Sequence, residues 1–170
     1  MPSFKTLWDN FPDHDQVKAR CFNKQPKGPP KPFEDYCTIM LSECFIKAGI
    51  NFDKCPGSKC WSHEAPRHVL LAQNLASWLA KSPPKEFKAK EVIAAANFQK
   101  LLSGRTGVVF FKDYWRRGNE SFAGRSGDHI DLWNSSRITG GSMTYRAIIE
   151  FLGLVSDLNK SKEIWFWEVK

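Results

Sequence analysis

Cys37, Met40, Leu41, Cys44, Phe45 and Ala48 recur at i, i+3, i+4, i+7, i+8 and i+11, and that spacing leaves the segment from Asp35 to Ala48 little choice of structure. At 3.6 residues per turn all six fall on one face, which predicts an amphipathic α-helix ended by Gly49. A helix with one apolar face must bury it against another layer. That layer is found further along the chain, where the period changes to two. Gly107-Val108-Val109-Phe110-Phe111 reads as a buried strand, His129-Ile130-Asp131-Leu132-Trp133 alternates polar with apolar until Trp133, and Glu163 to Val169 closes the chain as a strand. Helices first and strands afterwards imply an α+β domain with an antiparallel sheet.

The intervening segments complete the expected order. A second helix is predicted from Ala65-Pro66 to about Lys81, with Val69, Ala72, Ala76 and Leu79 on one face and Ser82-Pro83-Pro84 as its stop. A third is predicted from Lys88 to Ser103, before Gly104, and a fourth from Met143 to Leu152. Arg117 to Asp128 is a Gly-, Arg- and Ser-rich loop. Residues 1–33 are turn-rich, and the prolines of Gln25-Pro26-Lys27-Gly28-Pro29-Pro30-Lys31-Pro32 lack donors, so this part is expected as an extended arm. A length of 170 residues suits one domain, and 13 Phe with seven Trp supply the material for an ordered core. A single domain over 1–170 is the expectation.

Composition excludes some functions. No run of about 18 apolar residues exists, so no membrane insertion is expected. The opening MPSFKTLWDNFPDHD has neither a basic n-region nor an apolar h-region, so export by the general secretory route is not expected. A net charge of +7 favours polyanionic or acidic partners. Only Trp115-Arg116-Arg117 has the clustered basic and aromatic pattern of nucleic-acid binders, and no nucleic-acid partner is expected.

Cys37 lies at the start of the first predicted helix, on its apolar stripe. Unsatisfied N–H groups and the positive end of the helix dipole favour a thiolate there, which suits a nucleophile; a small buried core residue is the plainer alternative. Period two puts His129, Asp131 and Trp133 on one strand face, so a base and a carboxylate lie side by side, as a Cys-His nucleophile and base require. Cys55, Cys60, His63 and His68 form a rival group. They fit zinc-ligand spacing loosely, and Pro56 and Gly57 would equally allow a local Cys55–Cys60 disulfide; two ordinary loop thiols are the third reading. Gly104-Arg105-Thr106-Gly107 and Gly140-Gly141-Ser142 match no phosphate-loop pattern and read as turns. Trp165 and Trp167 share a strand face, as a sugar platform or as core.

Several of these segments resemble one known family. Tyr36-Cys37-Thr38-Ile39-Met40-Leu41-Ser42, followed by Lys47-Ala48-Gly49, resembles the nucleophile helix of the fourth family of type VI secretion amidase effectors, which are papain-like NlpC/P60-type cell-wall toxins. Ser126-Gly127-Asp128-His129-Ile130-Asp131-Leu132-Trp133-Asn134 is similar to their catalytic-His segment, and Gly107 to Trp115 and Lys162 to Trp167 also fit. The likeness runs from about Glu34 to the C-terminus. It implies a nucleophile helix packed on an antiparallel sheet, with Cys37 as nucleophile and His129 as general base. Ser42, Gly127 and Asp128 in the matching segments become candidate substrate contacts. The implied reaction is hydrolysis of the amide between D-glutamate and meso-diaminopimelate in peptidoglycan stem peptides, with no cofactor and no metal. The implied setting is the periplasm of a rival Gram-negative cell, reached through the secretion machinery, with a cognate immunity protein in the producer. Delivery into that oxidising compartment favours the Cys55–Cys60 disulfide.

The chain departs from the family pattern twice. Met40 stands where the family has Arg, and Gly140, eleven residues after His129, stands where it has the third triad member, an Asp. A glycine cannot orient an imidazole. Asp131, Asn134, Thr139 and a backbone carbonyl are the candidates, with Asp131 favoured by strand alternation. A housekeeping NlpC/P60-type hydrolase of another amide bond, or a zinc- or disulfide-stabilised binding module without catalysis, are the alternative functions.

Overall fold

The computed structural model describes residues 2–23, 27–139, 141–142 and 157–170. The helix predicted over Met143–Leu152 lies outside the described residues, as does Gly140.

Four helical segments lead into the sheet region: α1 (Phe4–Asp9), α2 (His14–Arg20), α3 (Cys37–Lys47) and α4 (Ala72–Lys81). Strand β1 (Glu91–Ile93) and a short helix α5 (Phe98–Leu101) come next, followed by β2 (Thr106–Trp115), β3 (Gly127–Asn134), β4 (Arg137–Ile138), β5 (Gly141–Ser142) and β6 (Glu163–Glu168). The strands form one sheet in the order β1-β6-β2-β3-β4-β5. Every neighbouring pair is antiparallel, as the helix-then-strand order implies.

Strand alternation puts one core cluster on each face of the sheet. Val108, Phe110, Ile130, Leu132 and Trp167 pack with Leu41, Cys44 and Phe45 of α3 and Leu75, Ala76 and Leu79 of α4. Val109, Phe111, Trp133, Ile164 and Phe166 pack instead with Phe98, Leu102 and Leu158. Trp165 packs against the first cluster beside Trp167, so both belong to the core side of their strand. Central β2 must let β6 approach closely. A Cβ at Gly107 would lie 2.1 Å from the Trp167 carbonyl oxygen, so only glycine fits. At the end of α3, Gly49 adopts φ +75° and lets the chain turn back, with its N–H bonded to the Ile46 carbonyl.

Three expectations are corrected. Residues 1–33, read as an extended arm, contain α1 and α2. Ser3 and Asp13 cap them, Phe4, Leu7 and Val17 are buried, and the Phe4 N–H bonds to the Lys170 carbonyl at 2.8 Å. Helices this short hold through docking rather than propensity, so periodicity does not reveal them. Extended pairing within this region occurs between Asn23 and Lys31. The second helix begins at Ala72, not at Ala65-Pro66, because the preceding backbone pairs elsewhere: Cys60 N–H with His68 O, and Leu70 N–H with Ser58 O. The predicted helix from Lys88 to Ser103 is instead β1, a 3-10 turn and α5. Val92 pairs with Trp165 across the sheet edge, and Arg105 ties Glu91 to Glu168 of β6.

Candidate active site

Cys37 is the first residue of α3. Its N–H donates to Asp35 Oδ1 at 2.8 Å, so the carboxylate two residues earlier caps the helix start. Leu41, Cys44 and Phe45 anchor the helix in the core, while Cys37 at its end stays part-exposed. The thiol opens into a cleft of about 330 Å³ lined also by Phe11, His14, Met40, His129, Asp131 and Thr139. Cys37 Sγ, a ring nitrogen of His129 and an Asp35 carboxylate oxygen all lie within 4.8 Å of one another.

His129 stands in β3 opposite Phe111 of β2. Just beyond that pair β2 bulges: the next matched pair is Trp115 with Gly127, and Asp113 takes φ +52°. Bulges redirect side chains near functional sites, and this one brings Tyr114 edge-on to the His129 ring, with centroids 6.2 Å apart. His129 Nε2–H donates to Asp131 Oδ2 at 3.2 Å, which leaves Nδ1 for the Cys37 thiol. The other oxygen of Asp131 is held by the Leu132 N–H at 2.7 Å and the Thr139 hydroxyl at 2.5 Å. Burial works against a charged imidazole here. The hydrogen bond to Asp131 and the neighbouring Cys37 sulfur outweigh it, and the His129 pKa lies well above its ordinary value.

A thiol at a helix start, an imidazole on the adjacent strand and a carboxylate behind the imidazole form a set suited to attacking a carbonyl carbon and moving one proton. Residues 33–167 match the family described as type VI secretion system (T6SS), amidase effector protein 4, Tae4. The chain belongs to this family. Its fold is similar to Tae4 in the type VI effector–immunity complex Tae4–Tai4 from Salmonella Typhimurium, with TM-score 0.64 and 16% identity over 100% of this chain and 99% of that one. It is similar also to the type VI effector Tae4 from Enterobacter cloacae, with TM-score 0.63 and 15% identity over 100% of this chain and 98% of that one. A search of curated protein sequences finds no match.

Within this chain, Cys37, His129 and Asp131 come together, with Thr139 beside Asp131, whereas Ser42, Gly127 and Asp128 lie outside the cleft. Ser42 is fully buried, and its Oγ accepts the Val69 N–H at 3.1 Å, so it ties α3 to the 58–70 segment rather than lining the cleft. Gly127 is needed where β3 passes Trp115, whose ring would lie 2.4 Å from an added Cβ. Asp128 points to the bulge, accepting the Asp113 N–H at 2.9 Å, and burial raises its pKa. The Cys55–Cys60 disulfide is also corrected: both thiols are free. Cys55 Sγ contacts the Asn74 carbonyl, whereas Cys60 Sγ lies beside Cys21. A short loop that could close a disulfide is drawn apart because Cys60 follows its backbone pairing with His68.

Sequence reasoning missed Asp35 as a neighbour of the reacting pair and Phe11 and His14 as cleft walls. Asp35 carried a signal, a carboxylate two residues before a helix-starting Cys. Phe11 and His14 carried none, since their place depends on docking of the N-terminal segment. Asn134, a candidate orienter, instead pairs with Thr106 and Arg137 in the sheet.

Proposed function

We propose that this amidase effector is an antibacterial cysteine amidase of papain-like NlpC/P60 type. In this reading it cleaves the D-glutamyl to meso-diaminopimelate bond of peptidoglycan stem peptides. The observation that carries the chemistry is the convergence of Cys37, His129 and Asp131 on one cleft in a chain of the amidase effector family. His129 Nδ1 takes the thiol proton as Cys37 Sγ attacks the carbonyl carbon. The tetrahedral intermediate collapses with cleavage of the C–N bond, and His129 hands the proton to the departing amine. Water, deprotonated by His129, then attacks the thioester and releases the carboxylate and the thiol. Throughout, Asp131 holds the ring in one orientation and stabilises its charged form, the part a carboxylate plays behind a catalytic imidazole.

In the same reading the protein is delivered by the type VI machinery into the periplasm of a rival cell, and a cognate immunity protein covers the Cys37 cleft in the producer; membership of the amidase effector family supports that setting. Tae4–Tai4 complexes among the similar structures support that partner. Incubation with purified Gram-negative sacculi, followed by mass spectrometry, tests the reading. It expects fragments ending at D-glutamate and their loss in Cys37→Ala. Intact sacculi, with a protein whose Cys37 is rapidly alkylated, would refute it, and fragments cut on the other side of diaminopimelate would reassign the bond.

A further inference from the structure

Cys21, Cys60, His63 and His68 meet in a small core of their own, packed with Val17, Tyr36 and Ile39. Their hydrogen bonds outside the cluster settle where the imidazole protons are. His63 Nδ1 lies 2.7 Å from the Glu64 carbonyl oxygen and His68 Nε2 lies 2.8 Å from Glu43 Oε2. Neither oxygen can donate, so both of these nitrogens carry protons. With both imidazoles neutral, each ring turns an unprotonated nitrogen inward. His63 Nε2 and His68 Nδ1 stand 3.2 Å apart, at 3.3 and 3.0 Å from Cys21 Sγ.

That arrangement is one proton short. The Cys21 thiol can serve one imidazole lone pair and not both. Cys60 Sγ, 2.7 Å from Cys21 Sγ, has Ser62 Oγ as its other neighbour at 3.0 Å, and the Ser62 proton is used on the Arg20 carbonyl. Cys21, Cys60 and His68 are fully buried and His63 is part-exposed, so bulk water can reach the cluster only from the His63 side. A Cys21–Cys60 disulfide would make it worse, because both thiol protons would go and the two lone pairs would face each other alone. A cation accepting all four donors removes the conflict.

We propose that Cys21, Cys60, His63 and His68 form a structural zinc site. Two sulfurs and two imidazoles are the donor set zinc takes, and two thiolates balance its charge. A tetrahedral zinc site has N–N and S–N edges of roughly 3.3 and 3.6 Å, close to the spacing of Cys21 with the two imidazoles, whereas Cys60, against Cys21 at 2.7 Å and outside that close group of three, completes the fourth corner by moving away from Cys21 and toward the imidazoles. Glu43 behind His68, itself gripped by Arg20 Nη2 at 2.5 Å, is the outer carboxylate that metal-bound histidines ordinarily have. Cys21 replaces Cys55 in the set that sequence spacing suggested. The ion joins the end of α2, the 58–70 segment and α3, and Tyr36, whose hydroxyl donates to the Cys21 carbonyl at 2.8 Å, carries that staple to the residue before Cys37.

Metal content tests this without reference to activity. Untagged protein purified under reducing conditions without chelators should hold about one zinc per chain by elemental mass spectrometry. The zinc should remain in Cys37→Ala and Cys55→Ser, which excludes the catalytic cleft and the spacing-based ligand set, and should fall to background in Cys60→Ser and His63→Ala. Should those variants fail to fold, cobalt exchange of the unaltered protein decides: a thiolate-to-cobalt charge-transfer band with intense tetrahedral visible bands supports the site. A folded, reduced protein that neither carries zinc nor takes it up on addition overturns the proposal. A Cys21–Cys60 disulfide in protein isolated from a reducing cytoplasm, or zinc retained by folded His63→Ala and Cys60→Ser, overturns it equally.

Discussion

His129 and Asp131, two residues apart on β3, meet through Nε2 and Oδ2 at 3.2 Å, with their side chains only 17% and 7% exposed. In the proposed mechanism this pair takes the orienting part that the resemblance assigned to an Asp at the position of Gly140. Asp131→Asn keeps the shape and removes the charge, so kcat should fall by about 10²- to 10⁴-fold. The pH profile should move as well. The His129 pKa is raised above its ordinary 6.5, so the imidazolium that protonates the leaving amine is lost only as pH rises through that higher value. Without the carboxylate, the alkaline loss of kcat/KM should occur at lower pH. The stability that this pair contributes is fully present below pH ~6.5 and disappears as pH rises through the folded pKa, so thermal melts of the two proteins should converge at high pH.

Thr139 touches Asp131 rather than the reacting atoms, which makes it a positioning residue. Thr139→Val removes the donor to Asp131 Oδ1 but leaves that of Leu132. A hydrogen bond to a charged group contributes about 1.5–3 kcal/mol, and part of that carries into ring orientation, so kcat should drop roughly 10-fold. Thr139→Ser should restore it. Steady-state kinetics on a stem-peptide substrate check this, and an unchanged kcat in Thr139→Val would remove Thr139 from the relay.

Ser42→Ala distinguishes a structural tie from a substrate contact. The change leaves the buried Val69 N–H without its acceptor and should cost about 1–3 kcal/mol, seen as a lower Tm. KM measured well below that Tm should not change. A raised KM at unaltered Tm would return Ser42 to the substrate site.

Gly107→Ala should be among the most damaging single changes in the sheet. The added methyl meets the Trp167 carbonyl oxygen at 2.1 Å and the Phe166 ring at 2.9 Å, and β2 is hemmed between β3 and β6. Overpacking of this kind costs at least about 1–3 kcal/mol, and here the contact is with backbone that cannot step aside. Chemical denaturation should show the midpoint shift, whereas Gly104→Ala, with open space around it, should be limited to the strain of its φ of +75°.

Much of this arrangement can be read from periodicity. The stripe from Cys37 to Ala48 yields α3 to within two residues at its start, the apolar run 107–111 yields the first half of β2, and alternation in 129–133 yields the middle of β3. The same alternation puts Asp131 on the side of His129, which is why an orienting group can be named although Gly140 is not one. Short elements escape this reading. β1 has three residues and α5 four, too few for either period to register, so 88–103 looks like one helix until β6 and the Arg105 ion pairs are in place.

Periodicity is a property of the backbone repeating itself, so it survives in a one-dimensional string: a helix starting at Cys37, a strand bearing His129 and Asp131, and an antiparallel α+β plan. Which distant residues touch is a property of packing, and no local pattern encodes it. The approach of Cys37 to His129, the walls that Phe11 and His14 give the cleft, and the choice of Cys21 rather than Cys55 as the neighbour of Cys60 all arise that way. Each depends on where α1, α2 and the 58–70 segment dock, and docking is governed by the summed burial of many side chains rather than by the residues that end up in contact.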